Sequence, residues 1–269
     1  MSNDLHEANR RRWDAAAEGW ARGADARGLW RRCPAEPELV LCDRELAYLR
    51  GGVAGQHVCV LGSGDNQVAF ALAGLGASVT SVDISQPQLD VAARRAQELN
   101  LEMSFVRADV TDLSALRNGS FSVVYTGGHV AVWVSDLSAY YAEAARILEP
   151  NGLFMVCEYH PFRRVWKESR DLLAVEYPYF SRGPFEYDVS AEVLYAKPGT
   201  FKSYEFHWTV SDYVGAALQA GCRVLELHEF GEAVAEWEGA PLHGLPEFLL
   251  IVARKDVEPA GPGDASQHP

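Results

Sequence analysis

Cysteine is scarce in this sequence and forms no recognisable motif. The chain of 269 residues contains five cysteines, an odd number, and none of them belongs to a Cys-x-x-Cys pair. This pattern argues against a zinc ribbon and a dithiol redox motif, so we expect no bound metal. We expect buried, reduced thiols and a cytoplasmic location, because reducing compartments keep thiols free.

Long apolar runs and an excess of positive charge are also missing. No apolar stretch approaches the ~18 residues that a membrane span requires, and the segment MSNDLHEANRRRW has no apolar core of a signal peptide. We therefore expect no membrane association. With 24 basic and 37 acidic residues the net charge is −13, which disfavours nonspecific nucleic-acid binding. The one basic cluster, Arg10 to Arg12, is predicted to lie on the solvated face of a helix.

Strand-like and helix-like segments alternate through the middle of the chain. The predicted strands are 57–61, 78–82, 102–106, 121–126, 152–159, 222–230 and 247–255. The predicted helices are 66–75, 87–99, 137–148 and 211–221. Ser85 is expected to cap the second of these helices, and Ser211 or Asp212 the last. This alternation predicts an α/β fold with a parallel sheet and right-handed crossovers.

The regions outside this pattern have different compositions. Residues 1–50 are predicted to be helical, with helices over 5–21 and 38–49, and 51–255 to form the α/β domain. An aromatic-rich insertion is expected at 160–205, with a short β-ribbon near EVLYA. Residues 256–269, rich in Pro, Gly and polar residues, are expected to form a disordered tail.

Small and acidic residues follow successive predicted strands. The first strand ends in Gly62-Ser63-Gly64, the second in Asp83, and the third leads to Asp109. Ligands of parallel sheets bind at the carboxyl ends of the strands, and a carboxylate after the second strand can accept both hydroxyls of a ribose. A dinucleotide fingerprint, G-x-G-x-x-G, would need a third glycine where Gln67 stands. The combination therefore favours a different nucleoside ligand.

These motifs resemble the class I S-adenosylmethionine-dependent methyltransferases, over roughly 51–159. The segments EYHPFRR, YFSRGPFEYD and YEFHWTVSDY resemble, more loosely, a bacterial subgroup that acts on small molecules. The resemblance implies a Rossmann-like, seven-stranded, mostly parallel sheet with helices on both faces and an antiparallel last strand. It implies S-adenosylmethionine as the cofactor and S-adenosylhomocysteine as the product. The positions that it assigns to the cofactor are Gly62, Ser63, Gly64, Asp83, Ile84, Gln88, Asp109, Val110, Thr126 and Gly127.

Two positions depart from the family pattern. Val60 stands where the first strand of the family usually carries an acid, and Asn66 replaces the usual third glycine. We expect Asp65 or a residue of the amino-terminal region to recognise the methionine ammonium group instead. Trp20, seven residues after Trp13, is expected to contact the cofactor if the amino-terminal helices close over it as a lid. The alternative is that both indoles anchor that helix to the sheet.

Three histidines are candidate proton acceptors. His129 follows the fourth strand, His160 the fifth, and His207 precedes the last helix. Each has an alternative structural role, since single histidines in aromatic segments are often buried and hydrogen-bonded. A metal site built from Glu158, His160 and His207 lacks helical ligand spacing and is not favoured. Aromatic residues of the insertion are expected to line an acceptor pocket or a small satellite core.

The sequence therefore predicts methyl transfer to an O or N atom of a small molecule, by in-line displacement, with a histidine as general base. The acidic surface disfavours a nucleic-acid acceptor, and we expect a monomer or a homodimer. Two alternatives stay open. One is a noncatalytic cofactor-binding partner of another enzyme, suggested by Val60, and the other is a nicotinamide-dependent oxidoreductase.

Overall fold

A computed structural model describes residues 2–64, 67–167, 169, 172–190, 200–232 and 242–256. The predictions for Asp65, for the EVLYA segment and for nearly all of the tail lie outside these described residues. No helix among them is long and apolar enough to cross a bilayer.

The centre of the molecule is a seven-stranded sheet of mixed direction. Its strands are β1 (His57–Leu61), β2 (Ser78–Asp83), β3 (Met103–Arg107), β4 (Phe121–Gly127), β5 (Leu148–Tyr159), β8 (Cys222–Glu232) and β9 (Pro246–Lys255). They lie in the order β3-β2-β1-β4-β5-β9-β8. Strands β1 to β5 pair in parallel, whereas β9 is antiparallel to both of its neighbours. The predicted sheet, including its antiparallel last strand, is confirmed.

Helices cover both faces of the sheet. They are α4 (Gln67–Gly74), α5 (Gln86–Glu98), α6 (Leu137–Ile147) and α7 (Val210–Gln219). Cys59 and Leu61 of β1 pack in the core that contains α6, whereas Val58 and Val60 pack in the core that contains α4. This alternation follows from the two-residue period of a strand, whose side chains point to opposite faces in turn.

Helix capping agrees with the sequence at one end and differs at another. The hydroxyl of Ser85 accepts a hydrogen bond from Gln88 N at the start of α5, as predicted. The predicted cap of α7 by Ser211 or Asp212 is wrong, because Thr209 is the N-cap. Its hydroxyl accepts from Asp212 N at 3.2 Å, and the Asp212 carboxylate accepts from Thr209 N at 2.8 Å. This reciprocal pair places the cap two or three residues earlier than the polar run suggested.

The amino-terminal region contains α1 (Ser2–Arg27), α2 (Leu29–Arg32), a short 3-10 helix (Pro37–Leu39) and α3 (Asp43–Leu49). The predicted single helix over 38–49 is wrong, since α3 begins only at Asp43. There the Glu45 carboxylate accepts a hydrogen bond from Cys42 N at 2.8 Å, which closes a capping box. Helix α1 packs against α5 and against the strand Thr200–Glu205 of the insertion. Its alanines at 16, 17, 21 and 24 are buried in these contacts.

The insertion after β5 has its own small sheet. A 3-10 helix (Pro161–Val165) follows β5, and β6 (Phe185–Ser190) pairs with β7 (Thr200–Glu205) in an antiparallel hairpin. These strands flank the segment in which the ribbon was predicted. Because β7 also contacts α1, the insertion and the amino-terminal helix meet on one side of the sheet.

Candidate active site

The turn after β1 is built from glycines in left-handed conformations. Gly62 has φ +60° and Gly64 φ +51°, where side-chain-bearing residues are strained. A Cβ atom on Gly62 would lie 2.5 Å from both methyl carbons of Val130, so a side chain at this position would clash with Val130. Ser63 N donates to Val82 O at 3.0 Å, which ties this turn to the end of β2. We call the region formed by Gly62, Gly64, Asp83 and Asp109 the strand-end site.

Asp83 is the buried carboxylate of the strand-end site. One oxygen accepts from Gly64 N at 2.9 Å, and the other from Ser85 N at 2.8 Å. Burial raises the pKa of Asp83 above its ordinary value, and the charge of Asp14 adds to this, although the backbone donors oppose it. Each carboxylate oxygen has a second lone pair for a ligand hydroxyl. Ile84 is half-buried beside it, and Gln88 is buried one turn into α5.

Asp109, after β3, is engaged by the amino-terminal helix. Thr111 donates from its N–H at 2.9 Å and from its hydroxyl at 2.8 Å to one carboxylate oxygen. His6 Nδ1 donates to the other at 2.6 Å, and its Nε2 accepts from Ser135 N at 2.9 Å, which fixes the neutral tautomer. Burial raises the pKa of Asp109, but the hydrogen bonds of His6 and Thr111 outweigh it, and the pKa lies below its ordinary value. Val110 beside it is buried.

Helix α1 lies across the strand-end site. Besides His6, Asp14 accepts from the Ser85 hydroxyl at 2.7 Å, and Asn9 donates to Tyr204 O at 2.8 Å. These three residues were not predicted from the sequence as site residues. His6 and Asn9 fall on the same seven-residue stripe as Trp13, a spacing that would have placed them on the buried face of the helix.

Trp20 lies further along α1. Its side chain is 46% exposed, and its ring lies 6.4 Å from that of Trp13. Trp13 in turn packs edge-on against Trp133 at 5.4 Å. Trp13 therefore anchors the helix, and the cofactor contact of Trp20 stays a prediction.

The end of β4 lies close to the end of β5. Thr126 is fully buried and hydrogen-bonded to the Tyr140 hydroxyl. A Cβ atom on Gly127 would lie 2.2 Å from Cys157 O, so only glycine fits this approach. His129 follows with φ +98°, a left-handed conformation that is rare for histidine and that is common at functional sites.

Glu158 at the end of β5 holds the loop that carries His129. Its carboxylate accepts hydrogen bonds from the backbone N–H groups of His129 at 2.7 Å and of Val130 and Ala131 at 3.1 Å each. Burial raises the pKa of Glu158 to about 7, and these three donors oppose the shift. This positioning role of Glu158 was not predicted from the sequence. Among the described residues, no group of three His, Cys, Asp or Glu side chains is arranged to hold a metal.

A small cavity opens between the ends of β4 and β5 and the insertion. We call it the β4–β5 cavity; its lining includes His129, Glu158, Arg164, His207, Trp208 and Tyr213. Burial lowers the pKa of His129 well below its ordinary value, and the charges of Arg164 and Arg12 add to this effect, so its imidazole is neutral. The structure thus brings together two of the three candidate histidines.

His160 lies apart from this pair. Its Nε2 is 2.6 Å from Glu229 Oε1, and its Nδ1 accepts from Phe162 N at 3.1 Å. Nδ1 therefore caps the 3-10 helix that follows β5, and Nε2 ties the end of β5 to β8. A catalytic role for His160 stays a prediction that these contacts do not favour.

Arg12 departs from its predicted setting. Arg10 and Arg11 pair with Glu7 on the outer side of α1. The guanidinium of Arg12 instead lies over the rings of Trp13 and Trp133, at 4.6 and 4.4 Å from their centroids. The prediction of a solvated face is therefore wrong for Arg12, because its position on α1 faces the β7 side of the molecule rather than solvent.

Comparisons with known proteins agree with this geometry. A family model described as "Methyltransferase domain" matches residues 59–156. The ubiquinone biosynthesis O-methyltransferase of Xanthomonas oryzae pv. oryzae is 30% identical over 153 residues, 56% of this chain and 60% of that protein. That of Thiobacillus denitrificans is 32% identical over 103 residues, 38% of this chain and 44% of the relative. The chain thus spans 60% or less of the length of these two relatives.

Solved structures share the fold. An S-adenosylmethionine-dependent methyltransferase from Mesorhizobium loti matches 80% of this chain and 99% of its own, with a TM-score of 0.57 and 23% identity. A putative one from Listeria monocytogenes matches 79% and 98%, with a TM-score of 0.58 and 18% identity. At such identities these two structures support the fold alone. Together with the domain match, they show that residues 59–156 are similar to a methyltransferase domain and that the chain has the fold of the S-adenosylmethionine-dependent methyltransferases to which it is similar.

Proposed function

We propose that this protein transfers the methyl group of S-adenosylmethionine to an O or N atom of a small molecule. The observation that carries the proposal is the position of the β4–β5 cavity. Its lining residue Glu158 accepts a hydrogen bond from Val130 N at 3.1 Å, and the Val130 side chain lies against Gly62 of the strand-end site. A methyl donor in one site and an acceptor in the other would meet at the ends of β1 and β4. The ubiquinone biosynthesis O-methyltransferases among the relatives favour oxygen as the accepting atom.

The strand-end site has hydrogen-bonding groups that suit S-adenosylmethionine. Asp83 retains free lone pairs for ribose hydroxyls, and the glycine turn permits close approach of a ligand to the backbone. In this proposal Asp109 and Val110 contact the edge of the adenine ring, but His6 donates a hydrogen bond to one oxygen of Asp109. We infer that α1 acts as a lid that shifts when the cofactor binds.

The chemistry is an in-line displacement. S-adenosylmethionine supplies a methyl group on a sulfonium, so that the C–S bond breaks with its electron pair going to sulfur while a C–O or C–N bond forms. The contribution of the chain is to orient the acceptor and to take its proton. His129 is our candidate for this proton because it is neutral and lines the cavity, with His207 as the second candidate. Glu158 is a positioning residue, since it holds the backbone of the loop at 129–131.

Calorimetry with S-adenosylmethionine and S-adenosylhomocysteine tests the cofactor part of the proposal. We expect both to bind, and Asp83→Ala to weaken binding by at least about tenfold, because two charge-assisted hydrogen bonds are lost. Asp90→Ala is the matched control, since Asp90 lies on the exposed side of α5, where it accepts a hydrogen bond from Gln86 at 2.8 Å. Absence of binding at millimolar ligand would refute the proposal.

Release of S-adenosylhomocysteine in the presence of small phenols, amines and carboxylates tests the transfer itself. Turnover with any acceptor by the isolated chain excludes the alternative of a noncatalytic partner. Cofactor binding without turnover across the whole panel would favour that alternative.

A further inference from the structure

Two guanidinium groups lie near the β4–β5 cavity, and the charge of each acts on the Glu205 carboxylate. Arg164, in the 3-10 helix after β5, donates from Nη1 to Glu205 Oε2 at 3.1 Å. His207 Nε2 lies 3.5 Å from the same oxygen. Arg12 approaches from α1, and its charge, like that of Arg164, acts on both Glu205 and His129. Three separate segments thus direct nitrogen donors to one place.

This cluster contains charged groups of both signs. Burial lowers the pKa of Arg12 only to about 10, so its guanidinium is charged at neutral pH. Burial raises the pKa of Glu205, but His207 and the two arginines outweigh it, and this carboxylate is ionised. The neighbouring Arg163 is matched by Glu247 at 2.9 Å. The charges of Arg12 and Arg164 both act on Glu205, and that of Arg164 also acts on the buried carboxylate of Glu158.

Two hydrogen-bonding nitrogens of Arg12 are not in use within the described part of the chain. Its Nε and Nη1 atoms are buried and have no hydrogen-bond partner among the residues that the structure describes, while its guanidinium lies over Trp13 and Trp133. Leaving such donors unsatisfied is unfavourable, because a buried N–H group loses the hydrogen bonds that it makes to water in the unfolded chain. A ligand with paired acceptor oxygens would remove this cost, and a carboxylate matches the fork of a guanidinium.

The remaining walls of the cavity are largely apolar. They include Val132, Phe206, Trp208 and Tyr213. Such walls suit the carbon skeleton of a small molecule and would exclude water from it. The cavity is small in this structure, so that an acceptor must displace α1 or the insertion to enter, and α1 carries Arg12.

We propose that the acceptor is a small carboxylate with an apolar or aromatic body, anchored by Arg12 and Arg164. This inference rests on the proposed function and names the substrate class of the same site. The carboxylate is the anchoring group, and the accepting O or N atom lies elsewhere on the molecule. Because Arg12 belongs to α1, binding of the carboxylate would also draw the lid closed.

Calorimetry with matched probes tests the proposal. The probes are benzoate and 3-phenylpropanoate with their primary amides, which keep the shape and remove the charge. We expect at least one carboxylate to bind about tenfold more tightly than its amide, since charged hydrogen bonds are the stronger ones. Arg12→Gln and Arg164→Gln should each reduce this preference to below about threefold. Arg11→Gln, an exposed neighbour paired with Glu7, should retain it.

The outcomes separate this inference from the proposed function. Equal affinities for carboxylate and amide, or no heat from either carboxylate at millimolar concentration with S-adenosylhomocysteine present, would overturn the carboxylate assignment. Titration of S-adenosylhomocysteine alone into the same variants reports on folding and on the strand-end site. A carboxylate preference in a chain that fails to bind S-adenosylhomocysteine would uphold the anion site and remove the proposed methyl transfer.

Discussion

The strand-end site and the β4–β5 cavity differ in how they are assembled. The strand-end site uses residues at or just after the ends of β1, β2 and β3, so the order of the strands alone brings Gly62, Asp83 and Asp109 together. The β4–β5 cavity is lined by the loop after β4, the end of β5 and the insertion with the residues that follow it, and the charge of Arg12 on α1 acts on His129 there. The first depends on a common sheet edge, whereas the second depends on how irregular segments pack. Substitutions in each should therefore affect different steps.

Glu158 provides the largest expected effect. Its folded pKa of about 7 lies above the ordinary value of 4.5, so the folded state binds more protons than the unfolded state between these limits. The stability contributed by this group is present below about pH 4.5 and lost as the pH rises through 7, by about 3 kcal/mol in total. We expect thermal melting of Glu158→Gln to lose this part of the pH dependence, while S-adenosylhomocysteine affinity at neutral pH is kept. Identical pH profiles for both proteins would contradict the assignment.

A comparison of histidines tests the cavity directly. His129→Gln should lower the rate of methyl transfer about 100-fold, within the usual range for a general base, with little change in affinity for S-adenosylhomocysteine. His160→Gln should reduce thermal stability, because the contacts with Glu229 and Phe162 are lost, and should leave the rate within about threefold. The rate is measured as release of S-adenosylhomocysteine. A reversed order of the two effects would move the proton acceptor to His160.

Gly62 tests the junction between the two sites. Gly62→Ala places a methyl group 2.5 Å from the Val130 methyl carbons and strains a residue at φ +60°, so we expect a loss of about 2 kcal/mol of unfolding free energy. Gly51→Ala is the matched control, with φ +76° and open space around the added atom. Gly51→Ala therefore reports the cost of a positive φ at alanine without a steric clash. Adding Val130→Ala should recover part of the loss for Gly62→Ala in chemical denaturation, and a strictly additive double variant would show that the two residues do not touch.

The strand-end residues were predictable because a short pattern determines their position. Apolar runs define strands, parallel strands share an edge, and the residue after each run must lie at that edge. The glycines and Asp83 follow from this rule without any knowledge of packing. Val60 is also explained by its setting, since it is buried beside its β4 partner Tyr125. The hydroxyl of Tyr125 donates to the buried carboxylate of Glu45 at 2.8 Å, so an acidic group does lie on this face of the sheet, contributed by α3.

The β4–β5 cavity was only partly predictable, for physical reasons. His129 and His207 were identified from their places in the chain, but their proximity depends on how the insertion folds back over the sheet. Arg12 was predicted to be exposed because it is charged. Its half-buried guanidinium is instead stabilised by cation–π contacts with the indoles of Trp13 and Trp133. Long-range contacts of this kind leave no periodic signal in a single sequence.

His6 gives the smallest effect and the sharpest test of the lid. Its Nδ1–H occupies the Asp109 oxygen that the adenine amine is expected to use. If α1 must withdraw for binding, His6→Ala removes a competing contact, and S-adenosylhomocysteine affinity should rise about threefold, less than 1 kcal/mol. Glu18→Ala, on the exposed face of the same helix, should leave the affinity unchanged. A fall in affinity for His6→Ala would instead mean that α1 contributes His6 to the bound cofactor, which would make the helix part of the strand-end site rather than a barrier to it.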